Sequence, residues 1–239
     1  MKILVTSGGT KIPIDKVRDI TNMSKGTFGS KIATELLKLG HEVIFFKAKN
    51  SKSPFQFDYN FFGKVALARE AFNKKVDFVN QYYSRYTELE YGTFNEYREI
   101  LERIIKFNQP DIVMLAAAVS DYGVENPHDG KIRSNDLLTI KLVQLPKIIH
   151  LIKTWHPNCK LVGFKLLVGS KEYELVDAAK RSIAENGCDM IVANDLADIK
   201  DGKHKVHLVF PKTDTLLYET DPTDSNFLAH KVAEHTLSL

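Results

Sequence analysis

The residues best suited to chemistry in this chain are small and polar rather than clustered and titratable. Val5-Thr6-Ser7-Gly8-Gly9-Thr10 and, further on, Asn22-Met23-Ser24-Lys25-Gly26-Thr27-Phe28-Gly29 each place glycines and hydroxyls in a turn. Glycine lets the backbone turn sharply and leaves no side chain, so amide N–H groups can come close to a ligand. The second turn opens into Ile32, Ala33, Leu36 and Leu37 at helical spacing. A helix start adds unpaired donors and the positive end of the helix dipole, so Gly8, Gly9 and the Gly26 turn suit an anion, phosphate above all. The plainer alternatives stay open: a tight turn at Gly8-Gly9, and close helix–sheet packing at Gly26 and Gly29. Neither GxGxxG nor GxxxxGK[ST] is present.

Two charged residues join the list. Asp121 follows the apolar run Asp111 to Ala117, where an open parallel sheet would bind its ligand; the other reading is a turn or cap residue. Lys131 lies in the Gly-, Pro-, His- and Asp-rich stretch 123–136, which reads as a mobile loop able to close on a phosphate site. Its alternative is an ordinary solvated lysine. Cys159 and Cys188 form no CxxC and read as small buried residues, and the eight histidines show no HExxH, so no protein-held metal site is expected.

Positioning these residues needs a scaffold, and the periodicity supplies one. Ile3-Leu4-Val5, the helix ending at Gly40 and the run His41 to Ala48 form a strand–helix–strand unit, which implies a parallel sheet. Residues 49–64 read as a loop and Val65–Phe72 as helical, with Tyr82, Tyr83, Tyr86 and Tyr91 covering the sheet or meeting another subunit. Thr93-Phe94-Asn95-Glu96 has capping-box form and introduces a helix to Asn108. Further strands are expected at 111–117, 137–145, 160–168 and 189–195. Helices are expected from Pro146 to about Trp155, from a Ser170 cap to Asn186, and from about 224 to 237, with an antiparallel hairpin over 204–220. The expected fold is α/β: a Rossmann-like, mainly parallel sheet flanked by helices, with that hairpin near the C-terminus, in a single domain over 1–239.

Composition narrows the function classes. Of 239 residues 44% are apolar and 26% charged, as in a soluble globular protein. The net charge of +3 carries no basic run, so nucleic acid is not an expected partner. No apolar run reaches membrane-spanning length and the chain starts directly in a strand, so no membrane and a cytoplasmic location are expected.

The string SGGT, PID, VRDITNMSKGTFG resembles the signature of the phosphopantothenate–cysteine ligase family of coenzyme A biosynthesis. Ala116 to Tyr122 with Lys131-Ile132 resembles its second block, and Pro146, Gly163-Phe164 and Val192-Ala193-Asn194-Asp195 its third. The blocks fall in family order up to about residue 196, with 49–110 and the C-terminal tail matching loosely. Many bacterial members are fused to a flavin-dependent decarboxylase; this chain resembles the free-standing type.

The resemblance implies that 4′-phosphopantothenate, CTP and L-cysteine give 4′-phosphopantothenoylcysteine, CMP and pyrophosphate through an acyl-nucleotide. By the same analogy Asn22 and Lys131 are catalytic. Gly8, Gly9, Ser24, Gly26, Leu115, Ala116, Ala117, Asp121, Lys131, Pro146, Lys147, Ile148, Ile149 and Phe164 contact nucleotide or phosphate, and Asn22, Ala117 and Ala118 contact the acyl substrate. Mg²⁺ would arrive on the triphosphate, and a homodimer is expected, with the tyrosine-rich stretch and the 204–220 hairpin as candidate interfaces. Two departures stand out. Ser182 and Asn186 occupy positions where fused members carry nucleotide-contacting lysines, which leaves CTP against ATP open. Phe164-Lys165-Leu166-Leu167 resembles free-standing and eukaryotic forms. The rival readings are an NAD(P)-dependent oxidoreductase, weakened by Phe46-Lys47-Ala48 where an acid would close the second strand, and a non-catalytic nucleotide-binding protein.

Overall fold

The computed structural model describes all residues except 58–64, 134–137, 201–203, 222–223 and 225, together with the side chains of 65–66 and 199–200. β1 (Lys2–Ser7) leads into a hairpin, β2 (Lys11–Pro13) with β3 (Asp19–Thr21), then α1 (Thr27–Lys38) and β4 (Glu42–Ala48). α2 (Val65–Tyr82) precedes β5 (Tyr86–Tyr91), α3 (Phe94–Asn108) and β6 (Ile112–Leu115). Next come β7 (Tyr122–Val124), β8 (Leu142–Gln144), α4 (Ile149–Trp155), β9 (Lys160–Leu167) and α5 (Glu172–Asn186). The chain closes with β10 (Met190–Asp195), α6 (Leu196–Lys200), β11 (Lys205–Val209), β12 (Leu216–Glu219) and α7 (Phe227–Thr236).

The main sheet runs β12-β11-β10-β9-β6-β1-β4-β5, with β11 and β12 antiparallel and the rest parallel. Because strand side chains alternate, each apolar run feeds two layers. Leu4, Ile44, Phe46, Val113, Leu161 and Ile191 pack under α3, α4 and α5; Ile3, Val5, Phe45, Met114, Val162 and Val192 pack under α1 and α7. From β1 the chain builds outward through β4 and β5, then crosses back to β6 and builds the other way through β9 and β10. That reversal puts the topological switch point between β1 and β6, where an open α/β sheet leaves a crevice beyond the strands' carboxyl ends.

The α/β architecture, mainly parallel sheet and C-terminal hairpin agree with the sequence reading. Several elements differ. Tyr86–Tyr91 forms one edge of the sheet, hidden in the sequence because Glu88 and Glu90 give one of its faces the charge that edges tolerate. α2 continues past Phe72 to Tyr82. The half-buried strand expected over 137–145 shortens to β8, paired with β7, and residue 137 lies outside the described residues. Of the expected loop at 49–64, residues 58–64 are likewise outside them. The capping box at Thr93 is present, with Glu96 N donating to Thr93 Oγ1 at 3.2 Å and Thr93 N to Glu96 Oε2 at 3.0 Å. Ser170 does not cap α5, which starts from Lys171; the Ser170 hydroxyl and amide go to Asp195 at 2.7 and 2.8 Å.

Candidate functional site

Beyond β1 the chain turns through Gly8 at φ +86° and pairs Gly9 with Ala118 beyond β6. Ala118 N donates to Gly8 O at 2.7 Å and Thr10 N to Ala118 O at 3.2 Å. Hydroxyls reinforce the seam: Thr6 Oγ1 accepts from Ala117 N at 3.2 Å, and Thr10 Oγ1 accepts from Ser120 N at 2.9 Å. Asn22 closes it from the third side, its Nδ2 donating to Ala118 O at 2.9 Å, while Thr21 Oγ1 donates to Thr10 O at 3.1 Å. The structure therefore brings Gly8, Gly9, Asn22, Ala117 and Ala118 to one point at the switch of the sheet.

The glycines are there largely so that three turns can touch. A Cβ on Gly8 would lie 2.7 Å from Ala48 Cβ and 2.8 Å from Ser51 Cβ; one on Gly26, at φ +71°, would lie 2.8 Å from Ser7 Oγ; one on Gly29 would lie 2.6 Å from the same oxygen. Ser7 Oγ donates to Gly26 O at 3.0 Å, and Lys52 N to Lys25 O at 2.9 Å. The close-packing reading thus accounts for these positions, and it also delivers the start of α1 to the site. Gly26 heads α1 with no side-chain cap, leaving first-turn donors for a ligand. Gly8→Ala is expected to destabilise the fold by about 2 kcal/mol or more through overpacking and a left-handed alanine. Urea unfolding checks this, and an unchanged midpoint would refute the packing role.

Around this point opens a cleft of about 480 Å³. Its wall includes Gly9, Asn22, Ser24, Lys25, Lys49 and Tyr91. Tyr91 is fully buried, and burial pushes its phenol up, so it stays a donor to Ser7 O at 2.8 Å. Lys25 and Lys49, with Lys11 also on the wall, make the cleft attractive to an anion. These lysines, unlike the glycines, carried no distinguishing signal in the sequence.

The other expected residues scatter more. Leu115, Ala116 and Ala117 are half-buried at the β6 exit. Asp121 is exposed, pairs with Lys147, and its carbonyl accepts from Leu145 N at 2.9 Å. Pro146 is exposed and Ile148, with 4% exposure, belongs to the core beside Ile152. Ile149 packs against Gly163 on the same face, whereas Phe164 is on the opposite face, edge-on to Phe28 with ring centroids 6.4 Å apart. The alternation of β9 thus separates Phe164 from Ile148 and Ile149, although they neighbour one another in motif order.

Lys131 is exposed and outside the cleft wall. The stretch expected to be a mobile loop begins as β7, and its residues 128–132 are bonded to the turn between β2 and β3. Lys16 N donates to Gly130 O and His128 N to Ile14 O, each at 2.9 Å. Residues 134–136 of that expected loop lie outside the described residues. Ser182 and Asn186 are in the last turns of α5, bonded to each other, with Nδ2 of Asn186 donating to Ser182 O at 2.7 Å. α5 runs back to the amino ends of the strands, so its far end is roughly 20 Å from the ligand edge. Counting along the sequence thus placed both residues on α5, one turn apart.

The neighbouring chemistry is structural. Burial pushes the Cys188 thiol up to about 12 and raises that of Cys159, so neither supplies a thiolate. Burial opposes ionisation of Asp195, yet the amides of Ser170, Ala197 and Gly169 and the Ser170 hydroxyl outweigh it and hold the carboxyl well below the usual range. Lys47, nearly buried at the end of β4, is taken by Glu90 at 2.7 Å and Glu88 at 3.7 Å. The place where a dinucleotide enzyme holds its ribose-binding acid is therefore filled by an internal ion pair. Among the described residues no group of three His, Cys, Asp or Glu side chains could hold a metal ion, and no helix is long and apolar enough to cross a membrane.

A doubly wound sheet with converging glycine turns, an uncapped helix start and a lysine-lined cleft at its switch point makes an α/β protein whose strand-end crevice is suited to an anionic ligand. The chain belongs to the family described as the DNA/pantothenate metabolism flavoprotein C-terminal domain, whose pattern matches residues 1–238. It is 36% identical over 208 residues to the coenzyme A biosynthesis bifunctional protein CoaBC of Thermococcus kodakarensis, a match covering 87% of this chain and 44% of that protein. It is 29% identical over 230 residues to phosphopantothenate–cysteine ligase 2 of Oryza sativa, covering 83% and 69%. The chain thus spans less than half the length of the bifunctional relative. Among solved structures it is similar to the DNA/pantothenate metabolism flavoprotein from Streptococcus pneumoniae, with a TM-score of 0.76, 29% identity and coverage of 100% and 97%. A Cab2 mutant, H337A, in complex with phosphopantothenate-cysteine shares the fold at a TM-score of 0.83, with 22% identity and coverage of 99% and 85%.

Proposed function

We propose that this protein joins 4′-phosphopantothenate to L-cysteine, using CTP and passing through an acyl-cytidylate, to give 4′-phosphopantothenoylcysteine, CMP and pyrophosphate. The observation that carries the reading is the meeting of Gly9, Asn22 and Ala118 beside the start of α1, on the residues that match the family signature. A carboxylate is a poor acyl donor because its leaving group would be oxide. Carboxylate attack on the α-phosphorus expels pyrophosphate and makes a mixed anhydride; the amine of cysteine then displaces CMP and gives up its proton.

Both steps gather negative charge, which fixed donors stabilise without reorganising. Ser24 and the amides after Gly26 would take phosphate oxygens. Leu115 to Ala118 would bed the ligand along the β6 exit, with Asp121, Lys147 and Ile149 at the nucleotide's edge and Phe164 across the sheet. Asn22 has a second amide hydrogen to offer beyond the one given to Ala118. Lys131 is proposed as the charge that meets the developing anions. Mg²⁺ would come in on the phosphate oxygens of the nucleotide and would neutralise triphosphate charge there. We propose a homodimer in the cytoplasm. Tyr83 is the tyrosine of the 82–91 stretch most available to a partner, since Tyr82 and Tyr91 are buried within the chain.

Pyrophosphate release from phosphopantothenate and cysteine, with CTP and ATP in parallel, tests the proposal. Turnover with CTP is expected to exceed that with ATP. Release with neither nucleotide, together with NADPH binding, would replace this reading with an oxidoreductase.

A further inference from the structure

Asp15 is a carboxylate with 5% exposure outside the cleft. Its Oδ1 accepts from Val17 N at 2.9 Å and Arg18 N at 2.8 Å, closing the turn between β2 and β3. That turn is also held by its own backbone, Ile14 N donating to Arg18 O at 2.8 Å and Asp15 N to Arg18 O at 3.3 Å. Oδ2 has a different task. It accepts from Ile132 N at 3.1 Å and lies 3.3 Å from Arg18 Nη2, which in turn donates to Ile132 O at 2.6 Å. With Lys16 N on Gly130 O at 2.9 Å, both residues flanking Lys131 are bonded to the 14–18 turn.

We propose that Asp15 is a positioning residue for Lys131: one oxygen shapes the turn, and the other, with Arg18, docks the peptide of Ile132 so that the lysine leaves the loop in a fixed direction. This rests on Lys131 being the cation of the proposed ligase. An ionised aspartate suits the task because it is acceptor-only and serves both segments at once. Glutamine's shorter homologue would not: Asp15→Asn keeps one carbonyl oxygen for the turn but sets an NH₂ against the Ile132 N–H. The exposed Lys16–Asp129 pair at 2.7 Å alongside adds little, being open to water.

The test uses the full chain with Asp15→Asn, Lys131→Gln and the double variant, assayed with phosphopantothenate, CTP and cysteine. Asp15→Asn is expected to lower kcat about 10-fold or more with a much smaller change in the KM for CTP, since misplacing a catalytic group by about 1 Å can cost 10²-fold. The double variant is expected to be no slower than Lys131→Gln alone, because a lysine that is absent cannot be misplaced. A purely structural Asp15 would instead give losses that multiply, and that result overturns the proposal, as does wild-type kcat in Asp15→Asn while Lys131→Gln is impaired. Hydrogen exchange at the Ile132 amide reads the docking without activity: Asp15→Asn should speed it about 10-fold, and unchanged exchange rejects the dock. Faster exchange combined with wild-type turnover in Lys131→Gln would show that the docking exists but that Lys131 is not the ligase's cation, which ends the positioning role. Should Asp15→Asn fail to fold, Asp15→Ser keeps an oxygen for the turn, reaches no further, and is expected to behave as described for Asp15→Asn.

Discussion

Replacing Lys131 with glutamine is expected to lower turnover by at least about 10²-fold while leaving the unfolding transition where it was. The first half follows from the charge the reaction gathers, first on the pentavalent phosphorus and then on the departing CMP. A positive charge aimed at those oxygens helps the transition state more than the ground state, so its loss should appear in kcat rather than only in KM. The second half follows from where the residue sits. Lys131 is exposed, and among the described residues its ammonium makes no hydrogen bond or ion pair, so glutamine removes the charge and leaves the docked backbone of Gly130 and Ile132 in place. Steady-state kinetics with CTP beside a thermal melt decide the matter. Turnover close to wild type strikes Lys131 from the mechanism, and a lowered melting point would mean that the loss was one of folding.

Asn22→Asp should have the next largest effect, a loss of about 10²-fold in turnover. Asn22 joins two ligand-edge turns through Nδ2, which donates to the Ala118 carbonyl at 2.9 Å. An aspartate of the same shape puts a carboxylate oxygen against that carbonyl and a negative charge against an anionic intermediate. Two costs therefore coincide: a lost tie between β3 and the β6 exit, and repulsion in the chemical step. Asn22→Ala separates them, since it loses the tie without adding the charge. If repulsion matters, aspartate is slower than alanine in the same assay. Equal rates for the two variants would leave only the tie, and an unaffected Asn22→Asp would remove the residue from the site.

How much of this was legible beforehand depended on whether a residue's neighbours in space were also its neighbours in the chain. Gly8, Gly9 and Gly26 could be read because turns and helix starts are local events, and the strand before and the helix after supply the context. The capping box at Thr93 was legible for the same reason. β5 was not, because an edge strand with one charged face lacks the apolar alternation that identifies its inner neighbours. Ser182 and Asn186 were placed on α5 by counting along the chain, which fixes their position on the helix but not what they face in space. Ile148 and Phe164 share a motif, but one is in the core under α3 and α4 and the other is on the α1 face.

By itself the sequence determined the α/β class, the near-continuous apolar strands, the two glycine turns and the family signature, all of which depend on periodicity and local backbone conformation. Tertiary structure alone decided that Gly9 pairs with Ala118, that Asn22 spans to the same carbonyl, and that Asp15 holds both the hairpin turn and the segment around Lys131. Those contacts join residues about a hundred positions apart, through a few hydrogen bonds that leave no period and no composition bias along the chain. They come into being only when the crossover from β5 through α3 lays β6 beside β1.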